Sequence, residues 1–297
     1  MNRRTFLKTG VALVATATVA AEAPLPQPSK SKVVIVRKGS PEEMFRKGIE
    51  QLGGITAFVA PGQTVVIKPN IGWDRTPEYA ANTNPALVAE IVRQCVAAGA
   101  SKVSVFDHTC NAWAKCYKNS GIEEAVKTAG GVMIEAHEQS SYREVQCTAA
   151  GSMKSAFIHN AILDSDVFIN VPILKNHGGA KMTSALKNFM GLVWDRQFMH
   201  RNNLAQCIAD AALYRKPTLN VVDAYRTMQT NGPLGVGLGD VRNTHYQLLS
   251  TDIVAIDTLA TKLLRFPLES VPYIALAAKH GLGANDETQM DILRVDA

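Results

Sequence analysis

The chain has 297 residues, of which 46% are hydrophobic and 19% charged, enough to bury a full-sized core in one large domain or two small ones. Its net charge of +5 is modest and spread along the chain, which excludes nucleic acid as an expected partner. Five scattered cysteines without a CxxC pair exclude a disulfide scaffold and a ferredoxin-type cluster motif. Cys110 and Cys116 leave a disulfide or a metal pair open beside the ordinary interpretation as free thiols.

The N-terminus resembles a bacterial twin-arginine signal, with the run RRTFLK at residues 3–8 followed by an apolar stretch at 9–21. This stretch is shorter than the ~18 residues of a membrane span, and the small residues AEA at 21–23 offer a cleavage site. We therefore expect export to the periplasm through the twin-arginine translocase, with no stable membrane span after cleavage; retention as an anchor stays open. Residues 1–31 are predicted to be signal and linker, and residues 32–297 the folded domain.

The folded domain begins with strands separated by a helix. A β-rich run at 32–36 precedes a predicted helix at 41–51, for which Ser40 is a suitable N-cap. A second strand at 64–68 ends at Pro69. Proline disfavours helix in the residue before it and cannot donate a backbone hydrogen bond to a sheet. The polar loop that follows, residues 70–84, is long enough for a functional role.

The same alternation continues along the chain. Apolar positions spaced i, i+3, i+4 and i+7 predict a helix at 85–98, and a strand at 102–106 follows it. A helix at 121–129 and a strand at 132–135 repeat the pattern, whereas residues 140–161 are less regular.

Strands that alternate with helices pair in parallel through right-handed crossovers. We therefore predict an α/β fold, with a largely parallel sheet flanked by helices and Rossmann-like halves. A division into two lobes, about 32–160 and 161–297, stays open.

The run DVFINVPILKNHGGAKMTSALKNFMGLVW at 166–194 carries the chemistry. Its apolar start at 167–171 predicts a buried parallel strand, after which Lys175 and His177 point the same way if the chain stays extended. The glycine pair that follows allows a tight turn or a close approach to a ligand.

A helix is predicted at 182–192, which brings Lys187 to the same crevice as Lys175 and His177. Open α/β sheets bind ligands outside the carboxyl ends of their strands, so three converging cations indicate a small anionic ligand. The ordinary alternative is that the lysines are solvated surface charges and His177 is a hydrogen-bonded loop residue.

Beyond this run, glycines crowd residues 231–240. Their GxGxG pattern lacks the preceding strand and following helix of a dinucleotide site, so we predict a flexible loop at the rim of the crevice. No GxxxxGK[ST], GxSxG or HExxH motif occurs, and spacing alone therefore gives no catalytic type. The remaining predicted elements are helices at 202–214, 252–264 and 271–280 and strands at 218–222 and 245–249.

Five runs together resemble the bacterial DUF362 family, a domain of unknown function. They are VVIKPNIG (65–72), TNPALV (83–88), DVFINVPILKNH (166–177), TSALKNFMG (183–191) and VAIDTLA (254–260). The resemblance spans about residues 32 to 264 and implies one α/β domain. Some relatives carry an added ferredoxin-type module, whose closely spaced cysteines this chain does not have.

A more distant resemblance links the chain to the nickel-dependent lactate racemase family. The run DRTP at 74–77 is similar to a permuted form of that family's Asp-x-Thr-Arg-Pro loop, and His108, His177, Lys187 and His200 fall at the positions of its later motifs. This resemblance implies that Lys187 tethers a pyridinium-derived nickel pincer cofactor, that a histidine coordinates nickel, and that other histidines handle protons or hydride.

These observations define the predicted site. Neutral imidazoles bind metals or move protons, a partly buried lysine acts as a base or an anchor, and an arginine pairs with a carboxylate. The predicted catalytic residues are Lys187, His108, His177 and Arg75. The predicted cofactor-binding residues are Lys187, Lys175, Gly178 and Gly179, and the predicted metal ligands are His177 and His200.

The sequence therefore favours an exported enzyme that acts on a small carboxylate or hydroxy acid, as a racemase, an isomerase or a redox enzyme. The implied cofactor is a divalent metal or a nickel-type cofactor. The alternative is a binding protein that carries an anion or delivers a cofactor to a partner, including an accessory to iron–sulfur redox proteins.

Overall fold

The computed structural model describes residues 30–297, so the predicted signal lies outside the described residues. The strands are β1 (Ser31–Arg37), β2 (Thr64–Pro69), β3 (Lys102–Val105), β4 (Val132–Met133), β5 (Tyr142–Gln146), β6 (Ser155–His159), β7 (Val167–Val171), β8 (Ile173–His177), β9 (Lys181–Thr183), β10 (Leu219–Met228), β11 (Val241–Ser250) and β12 (Met290–Asp296). The α-helices are α1 (Pro41–Glu50), α2 (Pro85–Ala97), α3 (Trp113–Asn119), α4 (Ile122–Thr128), α5 (Asn160–Asp164), α6 (Arg196–Arg201), α7 (Leu204–Ala211), α8 (Ile253–Leu263) and α9 (Pro272–Lys279).

One large sheet organises the domain, with strand order β12-β1-β11-β10-β7-β2-β3-β4. Strand β8 pairs with β10 beyond the end of β7, and β9 pairs with β8. Among the described strands of this sheet, β11 and β9 run antiparallel to their neighbours, and the other pairings are parallel. The predicted α/β class, with a largely parallel sheet flanked by helices, is confirmed.

Alternating side chains along the central strands pack into two core layers, one on each face of the sheet. In β2, Val65 and Ile67 pack into the layer that contains buried residues of α1, α2 and α4, whereas Val66 packs into the layer of α7, α8 and α9. Strand β7 is buried along its whole length, as expected for a central parallel strand covered on both faces. The predicted N-cap Ser40 forms a capping box with Glu43, which fixes the start of α1.

The predicted helix at 182–192 is wrong. The chain instead forms the short strand β9 and then a 3-10 helix, Lys187–Leu192. The reason is tertiary: the carboxylate of Asp257 accepts hydrogen bonds from the backbone N–H groups of Ala185 and Leu186. These bonds to a distant helix hold the backbone in a non-helical path.

Other differences are also tertiary. The irregular region 140–161 contains the hairpin β5–β6, a separate two-stranded antiparallel sheet. The predicted helix at 202–214 is shorter and is preceded by α6, and β12, which the sequence pattern did not indicate, pairs in parallel with β1. Strands from both sides of residue 160 share the large sheet. The division into two lobes stays a prediction.

Candidate functional site

A cavity of about 430 Å³ opens where β2, β3 and β8 end. Each strand places polar side chains there because parallel strands bring their carboxyl ends to one edge of the sheet. The lining includes Lys68 at the end of β2, Asp107 and His108 after β3, Lys175 and His177 in β8, Lys187 and Asn188 in the 3-10 helix, and Asn70, Cys110, Thr183, Gly191, Arg196 and His200.

The floor of the cavity is an ion pair between Lys68 Nζ and Asp107 Oδ1, 2.8 Å apart, with both side chains almost fully buried. Lys68 Nζ also donates to Asn188 Oδ1 at 2.7 Å, and Asp107 Oδ2 accepts from the backbone N–H of Ile71 at 2.7 Å. Burial lowers the pKa of Lys68, and Asp107 partly opposes that effect. Gly191 is required beside this pair, since a Cβ there would overlap Asp107 Oδ1 and lie 2.7 Å from Lys68 Nζ.

Lys175 enters the cavity wall from β8 with only 1% of its surface exposed. Its Nζ donates to Asn70 Oδ1 at 3.2 Å and to the backbone oxygen of Ala81. Burial, together with the nearby cation Lys187, lowers the pKa of Lys175 to about 7. This amine is therefore held by neutral oxygens.

Lys187 begins the 3-10 helix and has fewer partners. Among the described residues, the hydrogen-bond contact of its Nζ is the thioether sulfur of Met190 at 3.4 Å, which is a weak acceptor. Burial lowers the pKa of Lys187 to about 8, and the cations Arg196 and Lys68 act in the same direction. The amine therefore remains mostly protonated at pH 7 with little to stabilise its charge.

The charges of the lining are unbalanced. It contains four cationic side chains, Lys68, Lys175, Lys187 and Arg196, and a single carboxylate, that of Asp107, among the described lining residues. Arg196 donates its guanidinium protons to the backbone oxygens of His108 and Thr109 at 2.9 and 2.6 Å, and to Cys110 Sγ at 3.2 Å. An anion entering this cavity would therefore meet a surplus of positive charge.

His177 is held in one tautomer by its own turn. Its Nδ1 accepts hydrogen bonds from the backbone N–H groups of Gly179 and Ala180, both at 3.1 Å. Burial, together with the cations Lys187 and Lys175, lowers the pKa of His177 to about 3. The ring is thus neutral, its proton is on Nε2, and it presents an N–H donor to the cavity.

His108 has the opposite tautomer. Its Nδ1 lies 3.2 Å from the backbone oxygen of Val193, which can only accept, so Nδ1 carries the proton and Nε2 keeps a free lone pair. Burial lowers the pKa of His108 to about 4, and Arg196 adds to this effect. The ring stacks on Trp194 with centroids 5.2 Å apart. The cavity therefore contains one neutral imidazole that donates and one that accepts.

The structure brings together most of the predicted site residues. Lys187, Lys175, His108, His177 and His200 all line the cavity, although they come from separate segments of the chain. Their catalytic, cofactor-binding and metal-binding roles stay predictions.

Three predicted residues lie elsewhere. Arg75 is absent from the described lining, and its guanidinium instead lies over the ring of Tyr79, 5.1 Å from the centroid. Gly178 and Gly179 shape the turn behind His177 rather than the cavity surface, and the Gly178 N–H donates to the oxygen of Gly232 at 3.1 Å.

Several lining residues were not predicted from the sequence. Lys68 and Asn70 stand in the run VVIKPNIG, and Asn188 stands in TSALKNFMG, so their motifs were noted without a role. Asp107 directly follows the strand predicted at 102–106, but its pairing with Lys68 depends on the fold. Arg196 had no sequence signal, because its role depends on the folding of α6 against the loop after β3.

The described residues offer no assembled metal centre. Among residues 30–297, no group of three or more His, Cys, Asp or Glu side chains is arranged to hold an ion. All five cysteines are free, and Cys110 and Cys116 form no disulfide. In the same part of the chain, no helix is long and apolar enough to cross a bilayer.

The glycine-rich loop at 231–240 reaches the site through Pro233, which lines the cavity. The loop is held at its base by Asp240, whose carboxylate accepts from Thr230 Oγ1 at 2.6 Å and from the backbone N–H of Val236 at 2.7 Å. A second tie joins Gly232 N to Asn176 Oδ1 at 3.1 Å. These bonds give the loop a defined path beside the cavity.

Fold and site define an α/β protein with a cationic ligand cavity at the carboxyl ends of its parallel strands. The chain belongs to the DUF362 family, described as a domain of unknown function, whose model matches residues 65–262. A thylakoid-associated protein of Synechocystis sp. is 26% identical over 255 residues, covering 83% of this chain and 76% of that relative.

Two solved structures are also similar to the chain. One is a protein of Thermotoga maritima, with a TM-score of 0.47, 11% identity and coverage of 77% of this chain and 60% of its own. The other is the lactate racemase apoprotein of Thermoanaerobacterium thermosaccharolyticum, with a TM-score of 0.42, 16% identity and coverage of 64% and 50%. The chain thus spans less than two thirds of the length of either structure.

Proposed function

We propose that this protein binds a small organic carboxylate in the cationic cavity and catalyses proton transfer on it, as a racemase or isomerase does. The observation that carries the proposal is the amine of Lys187, a partly buried group beside other cations whose hydrogen-bond contact among the described residues is the thioether of Met190. Burying an ammonium group without an oxygen partner is costly, and a bound carboxylate would supply that partner.

The two histidines support proton transfer. His108 Nε2 has a free lone pair that can accept a proton, because its other nitrogen donates to a carbonyl. A bound carboxylate would raise the pKa of this ring above its value of about 4 in the free protein and so strengthen it as a base. His177 Nε2–H fits the role of a donor to a ligand oxygen, because its other nitrogen accepts two backbone N–H groups. A carboxylate paired with Lys187 would lie in the same cavity as both rings. The arrangement separates the anchor, the proton acceptor and the proton donor.

The donor set does not fit a divalent metal ion held by the protein. His177, one of the two predicted ligands, uses its Nδ1 lone pair for backbone hydrogen bonds and carries a proton on Nε2. A metal needs a deprotonated nitrogen, and the surrounding lysines repel a cation. The proposed reaction therefore uses no step through a metal.

A second candidate function is suggested by the pKa of Lys187, which burial lowers to about 8. The neutral fraction of this amine is a nucleophile that can attach covalently to a carbonyl-bearing cofactor. In that case the protein holds or delivers such a group. Intact-mass measurement of protein purified after native export tests this candidate, since a tethered cofactor adds mass at Lys187.

The proton-transfer proposal is tested with lactate as the probe, in two steps. Binding is followed by titration calorimetry with the wild-type protein and with Lys187→Met. Proton transfer is followed as incorporation of solvent deuterium at the α-carbon of lactate in D2O, with His108→Phe as the comparison. Binding without deuterium incorporation in any of several small carboxylates would favour a carrier over an enzyme.

We also propose that the protein is exported through the twin-arginine translocase and works in the periplasm. The support is the run RRTFLK with its apolar continuation and small-residue site, all within residues 1–23.

A further inference from the structure

The turn that carries Lys187 is held by residues that do not reach the ligand cavity. Asp257 of α8 is fully buried, and its two carboxylate oxygens accept from the backbone N–H groups of Ala185 at 2.7 Å and Leu186 at 2.9 Å. On the other side of the same peptide, Asn170 Nδ2 donates to the oxygen of Ala185 at 3.0 Å. The Ala185–Leu186 peptide, one residue before Lys187, is therefore held from both sides.

A third contact extends this arrangement along the chain. The hydroxyl of Tyr273, in α9, donates to the backbone oxygen of Met182 at 2.9 Å. Segment 182–186 thus has hydrogen bonds with the central strand β7 and with two helices of one core layer, α8 and α9. Because a 3-10 helix of six residues begins at Lys187, the position of its first turn is set by this segment.

The chemistry of Asp257 indicates more than a structural role. A buried carboxylate that accepts only neutral donors is expensive, and burial raises the pKa of Asp257 to about 6. Asp257 also stands in the run VAIDTLA, a motif to which the cavity gives no direct role.

We infer that Asp257, with Asn170 and Tyr273, forms a clamp that positions the amine of Lys187 for its ligand. Asp257 is a positioning residue and acts through the backbone of Ala185 and Leu186. The inference rests on the proposed function for the identity of the ligand, but not for the placement of the amine. The clamp keeps the amine in the buried cavity against the solvation it would gain by moving outward.

The test compares Asp257→Asn with a matched control, Asp210→Asn. Asp210 is also a fully buried carboxylate that accepts backbone N–H groups, those of Gly151, Ser152 and Met153, but it does not line the cavity. Both changes alter a buried carboxylate that accepts backbone N–H groups; Asp210 Oδ1 in addition accepts from Gln206 Nε2 at 2.8 Å and lies 3.0 Å from His280 Nε2. A purely structural effect would therefore appear in both variants.

The primary readout is the titration midpoint of Lys187, measured as the pH dependence of its reductive methylation by mass spectrometry. We expect the midpoint to rise from about 8 toward 10.5 in Asp257→Asn, because a released amine becomes hydrated, and to stay unchanged in Asp210→Asn. Lactate affinity should fall at least about tenfold in Asp257→Asn alone, which corresponds to about 1.4 kcal/mol.

An unchanged Lys187 midpoint in folded Asp257→Asn would overturn the clamp. If Asp257→Asn does not fold, the test uses Tyr273→Phe, which removes only the hydroxyl that donates to the Met182 oxygen. The Lys187 midpoint must then rise in Tyr273→Phe, and an unchanged midpoint in this variant would also overturn the clamp. If wild-type protein does not bind lactate, the proposed function loses its support, while the methylation midpoint still decides the clamp.

Discussion

Substituting Lys187 by Met should make the free protein more stable while abolishing anion binding. The methylene chain of Lys187 is replaced by an apolar side chain of similar volume, next to Met190. The amine is lost, and with it the charge that burial disfavours. At this one residue, stability would therefore increase while anion binding is lost.

The magnitude follows from the pKa of Lys187, which falls from the ordinary value of 10.5 to about 8. At about 1.36 kcal/mol for each pH unit between these values, and with a discount for partial exposure, the charged amine destabilises the folded state by about 2–3 kcal/mol at pH 7. For a chain of this size the gain in Lys187→Met corresponds to an increase in Tm of about 4–8 °C.

The sign of the pH dependence is also fixed. A lysine with a lowered pKa in the folded state binds fewer protons folded than unfolded between the two pKa values, so its cost is full below about 8 and disappears by about 10.5. The stability difference between Lys187→Met and wild type should therefore be largest at neutral pH and shrink as the pH rises to 10.5.

The assay is chemical unfolding at several pH values, with Lys127→Met as the control, because Lys127 is exposed and paired with Glu123 on a helix surface. That control should change stability by less than about 1 kcal/mol. If Lys187→Met is less stable than wild type at pH 7, the amine has a strong partner in the free protein. The argument for an anion at this site would then be refuted.

Further predictions address the site and the export signal. Gly191→Ala should destabilise the fold by about 3 kcal/mol or more, because its Cβ would push apart the buried ion pair on the cavity floor, as unfolding measurements would show. His177→Gln should retain most lactate affinity, because the Gln amide also offers an N–H, whereas His177→Phe should lose it; equal affinities would contradict the donor role. Arg75→Ala should change lactate affinity less than about twofold in calorimetry, since its guanidinium lies outside the cavity lining. Changing Arg3 and Arg4 to Lys should leave precursor in the cytoplasm, and periplasmic accumulation on a fractionation blot would contradict it.

Local patterns in the sequence determined the central part of the sheet. The apolar runs of β2, β3 and β7, bounded by polar or proline residues, identify buried strands, and their alternation with helices dictates parallel pairing. The same rule placed the polar residues after each strand at one edge of the sheet, so the crevice and the convergence of Lys187 with His177 were predictable.

Tertiary structure alone decided what each of these side chains can do. The sequence shows Lys187 and His177, but the lowered pKa of the lysine depends on burial, and the tautomer of the histidine depends on which backbone groups face its Nδ1. The prediction of a helix at 182–192 is wrong for the same reason. Asp257, some 70 residues further along the chain, accepts hydrogen bonds from the N–H groups of Ala185 and Leu186. Arg75 was assigned by motif resemblance, yet its loop directs it onto Tyr79. Hydrogen bonds and desolvation between distant segments have no local sequence pattern, so they appear only once the chain is folded.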